Sequence, residues 1–478
     1  MTRYTLVSLG MASALLAAAI LPTGCSKVPD PPWQTGELVV LTRFSPTTYY
    51  YDADGAPTGF EYDVVRRFAD AQGWRVRFEL ASNLEELFSR LERGEAHFAA
   101  AGLAATDKRL ARMRFGPAYA ETREWVVCGP SVGSTKRVAD LVGLRLEVVA
   151  GSSHLDRLRE LRLAHPELAW KEVELPGEEE LLERVSSGLT DCTVADEMAY
   201  QIARNYLPGL KAVFELGKQR RIAWAFPKRG ESRLMEAVGR FFQEMTESGE
   251  LAILRERYFG HVFQLEEADV LGILERRTTR LPALRPYFLE AQTLSGLDWR
   301  LLAAVAYQES QWDPKAVSPT GVRGIMMLTA DTADRLGVKD RLDPRESILG
   351  GARYLRMLID MMPDSVPEPD RTWMALAAYN IGPGHFAGAL RLARRLERNP
   401  DAWIDVKDVL PKLSQARYAG TLRYGYARGG EARAFAENVR IYYDILSRYE
   451  QAYREDFALR ESVALKPRRE TAPLQPGR

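Results

Sequence analysis

The hydrophobic pattern of this 478-residue chain changes period near residue 265, and that change limits the architectures open to it. Before it, Leu38 to Thr42, Val76 to Leu80 and Phe98 to Ala101 read as strands, with helices predicted over Phe60 to Gln72 and Leu84 to Glu92 between them. Trp125 to Cys128, Leu146 to Val149 and Cys192 to Ala195 continue the strand series, and a helix is predicted over Glu178 to Ser186. Such alternation predicts an α/β domain. From Glu266 to about Tyr449 apolar residues recur at helical spacing and strand-like runs nearly vanish, which predicts an all-α domain. The length agrees, because ~100 to 200 residues per domain leave 478 too many for one core.

The ends read differently. Arg3 precedes an apolar run from Leu6 to Leu21, followed by Pro22-Thr23-Gly24-Cys25. A basic start, a short apolar core and small residues at the cut predict a secretory signal over 1–25, and the run is shorter than the ~20 residues that span a bilayer. Thr-Gly-Cys also resembles a bacterial lipobox, which implies lipidation of Cys25, although Pro22 stands where that pattern has Leu. Simple export and an uncleaved anchor remain alternatives. The Pro-rich stretch 26–36 reads as a tether, 37–264 as the first domain, 265–450 as the second, and 451–478 as a disordered tail.

Charge and cysteine content exclude several function classes. Sixty-five basic residues balance sixty-five acidic ones, so no net field favours nucleic acid. Cys25, Cys128 and Cys192 are too few for a disulfide framework, and none forms a Cys-x-x-Cys pair, so no structural zinc site, metal or cofactor is predicted.

The residue with most chemical promise is Glu309. Asp298 caps a helix predicted over LLAAVAYQES, and Leu302, Val305 and Ala306 share the face of Glu309, so a carboxyl ends an apolar stripe. Burial favours the neutral acid, which suits proton donation to a leaving oxygen. A Glu at a helix end more often makes an ion pair, so its neighbours decide the matter. Ser310-Gln311-Trp312 follows at once, then Gly321-Val322-Arg323-Gly324-Ile325-Met326-Met327-Leu328-Thr329, then Ala377-Ala378-Tyr379-Asn380-Ile381-Gly382-Pro383-Gly384, and YGYARGG at 424–430. Singly these could be turn glycines, core methionines and a core tryptophan.

In this order, behind a Glu-Ser pair, they resemble the lysozyme-like domain of the lytic transglycosylases that cleave bacterial peptidoglycan. The resemblance implies an all-α lysozyme-like fold and a single catalytic carboxyl, Glu309, where ordinary glycosidases use two. It implies cleavage of the β-1,4 bond between N-acetylmuramic acid and N-acetylglucosamine, with an anhydro ring closed by the C6 hydroxyl. Ser310, Met327, Tyr379 and Asn380 are then the substrate-binding residues, and Asp313, just before Pro314, is structural. The family's late Glu-Thr-Arg-x-Tyr pattern reads Glu431-Ala432-Arg433-Ala434-Phe435 here, and a phenyl ring donates no hydrogen bond. Tyr424 or Tyr426 could supply the missing hydroxyl, or it is absent.

The first domain carries a second resemblance. Gly59-Phe60-Glu61-Tyr62-Asp63, then Ala101 to Arg109, Phe115 to Tyr119 and Thr193 to Glu197 resemble the periplasmic amino-acid-binding proteins, which are two-lobed. This implies that Arg109 forks onto a ligand carboxylate and Asp196 takes an ammonium, with Gly151-Ser152-Ser153 offering donors to the same anion. Gly102 and Ala104 replace polar groups common in those receptors, which favours a wall peptide over a free amino acid. Tyr49 to Tyr51 could form a lid or simply pack. The expected protein is a peptidoglycan-cleaving enzyme on the periplasmic face of the outer membrane, anchored at its N-terminus and regulated by its first domain. A hydrolytic muramidase and a glycan-gripping binding protein are the rivals. Products and turnover separate them.

Overall fold

The structure is a computed structural model that describes residues 28–52, 55–263, 265–318 and 321–453. Cys25, the apolar leader and all of the tail beyond Tyr453 lie outside the described residues.

In the first domain Leu38 and Val40 enter one core while Val39 and Leu41 enter another, so the strand Glu37–Arg43 is covered on both faces. Strands buried on both faces typically pair in parallel. Glu37–Arg43 accordingly runs parallel to Arg75–Ala81 on one side and to Phe98–Ala99 on the other, and Ala225–Pro227 and Met113–Phe115 complete the sheet in antiparallel register. Helices Phe60–Gln72 and Ser232–Glu247 cover one face, and Leu84–Glu92 covers the other. The second lobe centres on Glu124–Cys128, flanked in antiparallel register by Cys192–Asp196 and Lys211–Glu215. Beside them Glu147–Val149 pairs in parallel with Lys171–Val173. The chain passes between the lobes twice, and the two crossing segments, Ala120–Thr122 and Arg220–Ile222, pair with each other. This is the expected two-lobed α/β architecture.

Two readings of detail change. A count of three cysteines argued against a disulfide framework, yet Cys128 and Cys192 face each other across adjacent strands and form a bridge. The stretch read as a tether contains a helical turn, Pro32–Thr35, because Trp33 packs against the first lobe with the Arg233 guanidinium 4.6 Å above its ring. Likewise the first residues of the tail are tied down: Trp299 Nε1 donates to Gln451 O at 3.1 Å, and Gln292 Nε2 donates to Tyr453 O at 3.0 Å.

Among the described residues the second domain is built of helices, from Glu267–Thr279 to Gly429–Tyr449, around one core, with isolated β-bridges only at Val317, Arg323 and Leu328. Its central element is Trp299–Ser310, packed by Leu281–Ser295, Pro344–Asp360 and Gly429–Tyr449. Every residue from Trp299 to Tyr307 is buried, so the predicted apolar stripe is in fact a helix enclosed on all sides. Ala303, Ala304 and Ala306 are small enough to let its neighbours close in. The helix Glu250–Phe259 joins the domains. Leu251 and Leu254 belong to the first core, while Glu256 Oε1 accepts from Lys407 Nζ at 2.7 Å and Arg440 Nη1 at 3.1 Å in the second domain. Arg257 Nε reaches Asp370 Oδ1 at 2.8 Å, at the start of the helix Asp370–Ile381.

Candidate functional site

Glu309 stands where the central helix leaves the core. Asp298 begins that helix, its Oδ1 accepting from Arg300 N at 2.8 Å. At the far end Gln311 and Trp312 both take positive φ, 52° and 60°, so the chain turns sharply just after Ser310. Trp312 is a core aromatic: it is buried, and its Nε1 donates to Ala303 O at 2.8 Å. That anchor holds the turn and thereby the direction of Glu309. The Glu309 side chain is half-buried and has no hydrogen bond or ion pair among the described residues. Burial alone pushes its carboxyl up to about 8. At neutral pH it is mainly a protonated acid.

The motif around 321–329 folds into a tight loop facing it. Gly324 has φ of 82°, and a Cβ there would lie 1.7 Å from Arg341 O, so only glycine fits. Ser310 Oγ lies 2.8 Å from Ile325 O and 3.1 Å from Ala306 O, tying the helix end to that loop. Its one proton is committed to a backbone carbonyl and its lone pairs remain to accept. Met326 is buried while Met327, at φ of 46°, is half-buried, so a non-glycine residue holds a left-handed turn beside the acid's helix.

Tyr379 is buried, and its hydroxyl donates to Met326 O at 2.9 Å. Burial, with the nearby charges of Glu309 and Tyr354, raises that hydroxyl well above its ordinary value. Asn380, the next residue, is exposed, and its amide has no partner among the described residues. Phe435 stacks on Tyr379 with centroids 6.1 Å apart and planes within 7°. The departure from the family's tyrosine therefore puts a phenyl ring behind Tyr379. Tyr424 is 52% exposed and stands edge-on to His385, against Gly384, where a Cβ would come within 2.8 Å of its ring. It sits at the junction after Asn380, whereas Tyr426, more exposed still, makes no described ring contact. Hydrogen bonds thus tie Ser310 and Tyr379 to the loop that carries Met327, with the Glu309 charge near Tyr379, while Asn380 follows Tyr379 in its helix and Tyr424 stands against Gly384 and His385.

In the first domain the predicted residues separate. A cavity of about 520 Å³ opens between the lobes and is lined by Asp196, Arg43, Tyr119, Phe60 and Phe259, among others. Arg109 and Ser153 do not line it. Arg109 is buried, donates Nη1 to Ala104 O at 2.8 Å and Nη2 to Gly151 O at 3.1 Å, and so bridges the lobes. Burial lowers its guanidinium to about 10. Ser153 opens the helix Ser153–Arg162, but the side chain that caps it is that of Ser152, accepting from Leu155 N at 3.2 Å. Asp196 Oδ1 accepts from Thr122 Oγ1 at 3.2 Å, and burial followed by the charge of Glu178 raises its carboxyl to about 7. Of Tyr49 to Tyr51 only Tyr49 is buried, standing edge-on to both Tyr51 and Tyr62, while Tyr51 is exposed.

Sequence reasoning missed a buried acid-base cluster beside Asp196. His154 Nδ1 lies 2.9 Å from Glu124 Oε1 and its Nε2 lies 3.0 Å from Glu178 Oε1. Burial would lower this imidazole, but Glu178's charge and both hydrogen bonds raise it well above its ordinary value. With both nitrogens donating to carboxylates His154 has no lone pair for a metal, although Glu178 and Asp196 lie close enough to form a ligand set with it. Its signal was a lone His in the first turn of the helix that Ser152 caps. Glu61 was also missed. It is buried, accepts from Tyr119 Oη and from Gly102 N at 2.9 Å, and is raised by burial to about 7.

Residues 286–401 match the model of the transglycosylase SLT domain, and residues 38–261 match that of the bacterial extracellular solute-binding proteins, family 3. The membrane-bound lytic murein transglycosylase F of Thiobacillus denitrificans is 48% identical over 442 residues, covering 92% of this chain and 94% of that protein. Its namesake from Nitrosospira multiformis is 46% identical over 426 residues, 89% of each. A solved structure of an ancestral arginine-binding protein bound to arginine is 24% identical with a TM-score of 0.42, covering 47% of this chain and 98% of that one.

Proposed function

We propose, on the premise that this chain belongs to the membrane-bound lytic murein transglycosylase F family, that Glu309 is both acid and base of its reaction and that the products end in 1,6-anhydromuramoyl groups. The protein is a peptidoglycan lytic transglycosylase, a lyase with a solute-binding domain ahead of its catalytic one. The observation that carries the assignment of Glu309 is its isolation, a half-buried carboxyl with no described partner, raised to about 8 by burial alone. Such a group holds a proton at neutral pH and can release it to a substrate.

The proton passes from Glu309 to the glycosidic oxygen as the bond from the muramoyl C1 breaks, and the substrate's own N-acetyl group stabilises C1. The resulting carboxylate then takes the proton of the C6 hydroxyl as O6 bonds to C1, which restores the acid and consumes no water. An intramolecular nucleophile carries a large entropic advantage over water. Ser310, with its proton committed to a carbonyl, is suited to accept from the N-acetyl N–H. Tyr379 steadies the loop through Met326 O while Met327 and Asn380 face the strand, and Tyr424 flanks the cleft. The catalytic domain spans 265–450 in this reading.

Domain 37–264 senses a wall peptide or amino acid, with Asp196 taking an amine, Arg109 bridging the lobes behind it and Ser153 at the start of a second-lobe helix. No described helix is long and apolar enough to cross a membrane. Attachment to the outer membrane, on its periplasmic face, is assigned to a lipid on Cys25, so Cys25→Ala is expected to leave the membrane fraction. Mass spectrometry of the fragments released from sacculi tests the chemistry. Anhydromuramoyl ends are expected, and reducing ends would make the enzyme a hydrolase.

A further inference from the structure

Two arginines of the first domain are buried without an ion-pair partner among the described residues. Arg43 and Arg109 are each only 7% exposed, and the described hydrogen bonds of both go to backbone carbonyls. Carboxylates lie within electrostatic range of each, Glu61 and Glu178 for Arg43 and Asp156 and Asp196 for Arg109, but none makes a described ion pair with it, so neither guanidinium is spent on a protein carboxylate. The two differ in what remains to be offered. Arg109 has a carbonyl partner for each terminal nitrogen, rests 4.5 Å over the Phe88 ring and does not line the cavity. Arg43 lines the cavity and holds its carbonyls loosely, Nε to Ala101 O at 3.2 Å and Nη1 to Pro176 O at 3.4 Å. Its Nη2 has no described partner. Ala101 follows a strand of the first lobe and Pro176 precedes a helix of the second, so this guanidinium sits at the seam.

The rest of the cavity supplies the complement. Asp196 lines it with one described side-chain bond, from Thr122, and no described ion pair. Phe60, Ile222 and Phe259 contribute apolar surface between the charged groups. Arg255 is the other lining arginine, but it is only half-buried and donates to Tyr119 O at 3.3 Å. Resting on the sensing role proposed above, we infer that Arg43 is the residue that binds the ligand's carboxylate in this cavity while Asp196 takes its amine, so that the ligand is a zwitterion with an apolar body. A guanidinium with a free edge at the wall can form the charge-assisted bond that Arg109, behind the wall, has already spent on the lobes.

The test measures binding of a synthetic wall stem tetrapeptide, and of the same peptide with every carboxylate amidated, to the full chain by titration calorimetry. The acid form is expected to bind wild type at least tenfold more tightly than the amide. Arg43→Met is expected to bind the two equally, and Arg109→Met to keep the difference. Arg43→Lys, which keeps the charge and is the more conservative change, is expected to retain a reduced preference for the acid. A full acid preference in folded Arg43→Met or in Arg43→Lys overturns the inference, as does equal binding of both peptides by wild type. Loss of the preference in Arg109→Met instead assigns the carboxylate to Arg109 and leaves the sensing role standing. If wild type binds neither peptide, the sensing role itself fails and this inference falls with it.

Discussion

Glu309 and Asp196 are both half-buried acids raised toward or above neutrality, yet they stand in opposite surroundings. Glu309 ends a helix enclosed by apolar residues, and burial is the sole cause of its shift. Asp196 lies beside Glu178, His154 and Glu124, so its shift is a balance of burial, a repelling carboxylate and an attracting imidazolium. A lone acid in apolar surroundings has nothing to hold its proton except the absence of water, so a substrate oxygen can take it. An acid in a network shares its charge with neighbours, which suits binding and the joining of two lobes. The comparison suggests that one domain of this chain is built to transfer a proton and the other to recognise charge.

The largest expected effect comes from removing the lone acid. Glu309→Gln is expected to keep the fold and to lower the rate of muropeptide release by ~10² to 10⁴, the usual worth of one acid-base role. Near-wild-type release would end the assignment. The next largest lies where the two regions meet. The Glu256 carboxylate lies between Lys407 and Arg440, and Glu256→Ala leaves these two buried cations to share Glu437 alone, a loss of about 1.5–3 kcal/mol in stability measured by denaturant unfolding. A change under ~1 kcal/mol would mean that water already screens this junction.

The pH response separates the two kinds of acid. The folded value of Glu309, about 8, lies above its ordinary 4.5, so the folded state binds that proton more tightly. The associated stability is present in full below about 4.5 and is lost as pH rises through 8. Wild type is therefore expected to lose stability relative to Glu309→Gln between pH 5 and 9, by a few kcal/mol at most given ~1.4 kcal/mol per pH unit. Cleavage is expected to fall as pH rises through about 8. A stability difference independent of pH would show that Glu309 is solvated. The smallest effect is expected of Tyr379→Phe, which removes one bond to Met326 O from the loop, for about 1–2 kcal/mol and a modest drop in turnover. A loss as large as that of Glu309→Gln would instead give this hydroxyl a direct part in the reaction.

Much of this contrast is legible in the sequence. The strands and helices of the first domain follow from periodicity, and Phe60–Gln72, Leu84–Glu92 and Glu178–Ser186 form over the predicted residues because each presents one apolar face. Glu309 was legible as a carboxyl among alanines, valine and leucine. The stripe argument still understated its burial, since sequence spacing records which residues share a face and not how many neighbours surround the helix. Phe435 was read only as a missing hydroxyl, whereas its contact with Tyr379 joins helices more than fifty residues apart.

What the chain's own residues determined were the local matters: two domains of different class, the position of each element, the turn that only Gly324 allows, and an acid at the end of an apolar helix. These depend on periodicity and backbone conformation, which act over a few residues. Tertiary structure alone decided which charges are paired. Nothing near Arg43 in sequence tells that its neighbours are Ala101 and Pro176, or that His154 lies between Glu124 and Glu178. Burial and electrostatic interaction depend on distance in space, and folding brings those residues together from up to 133 positions apart.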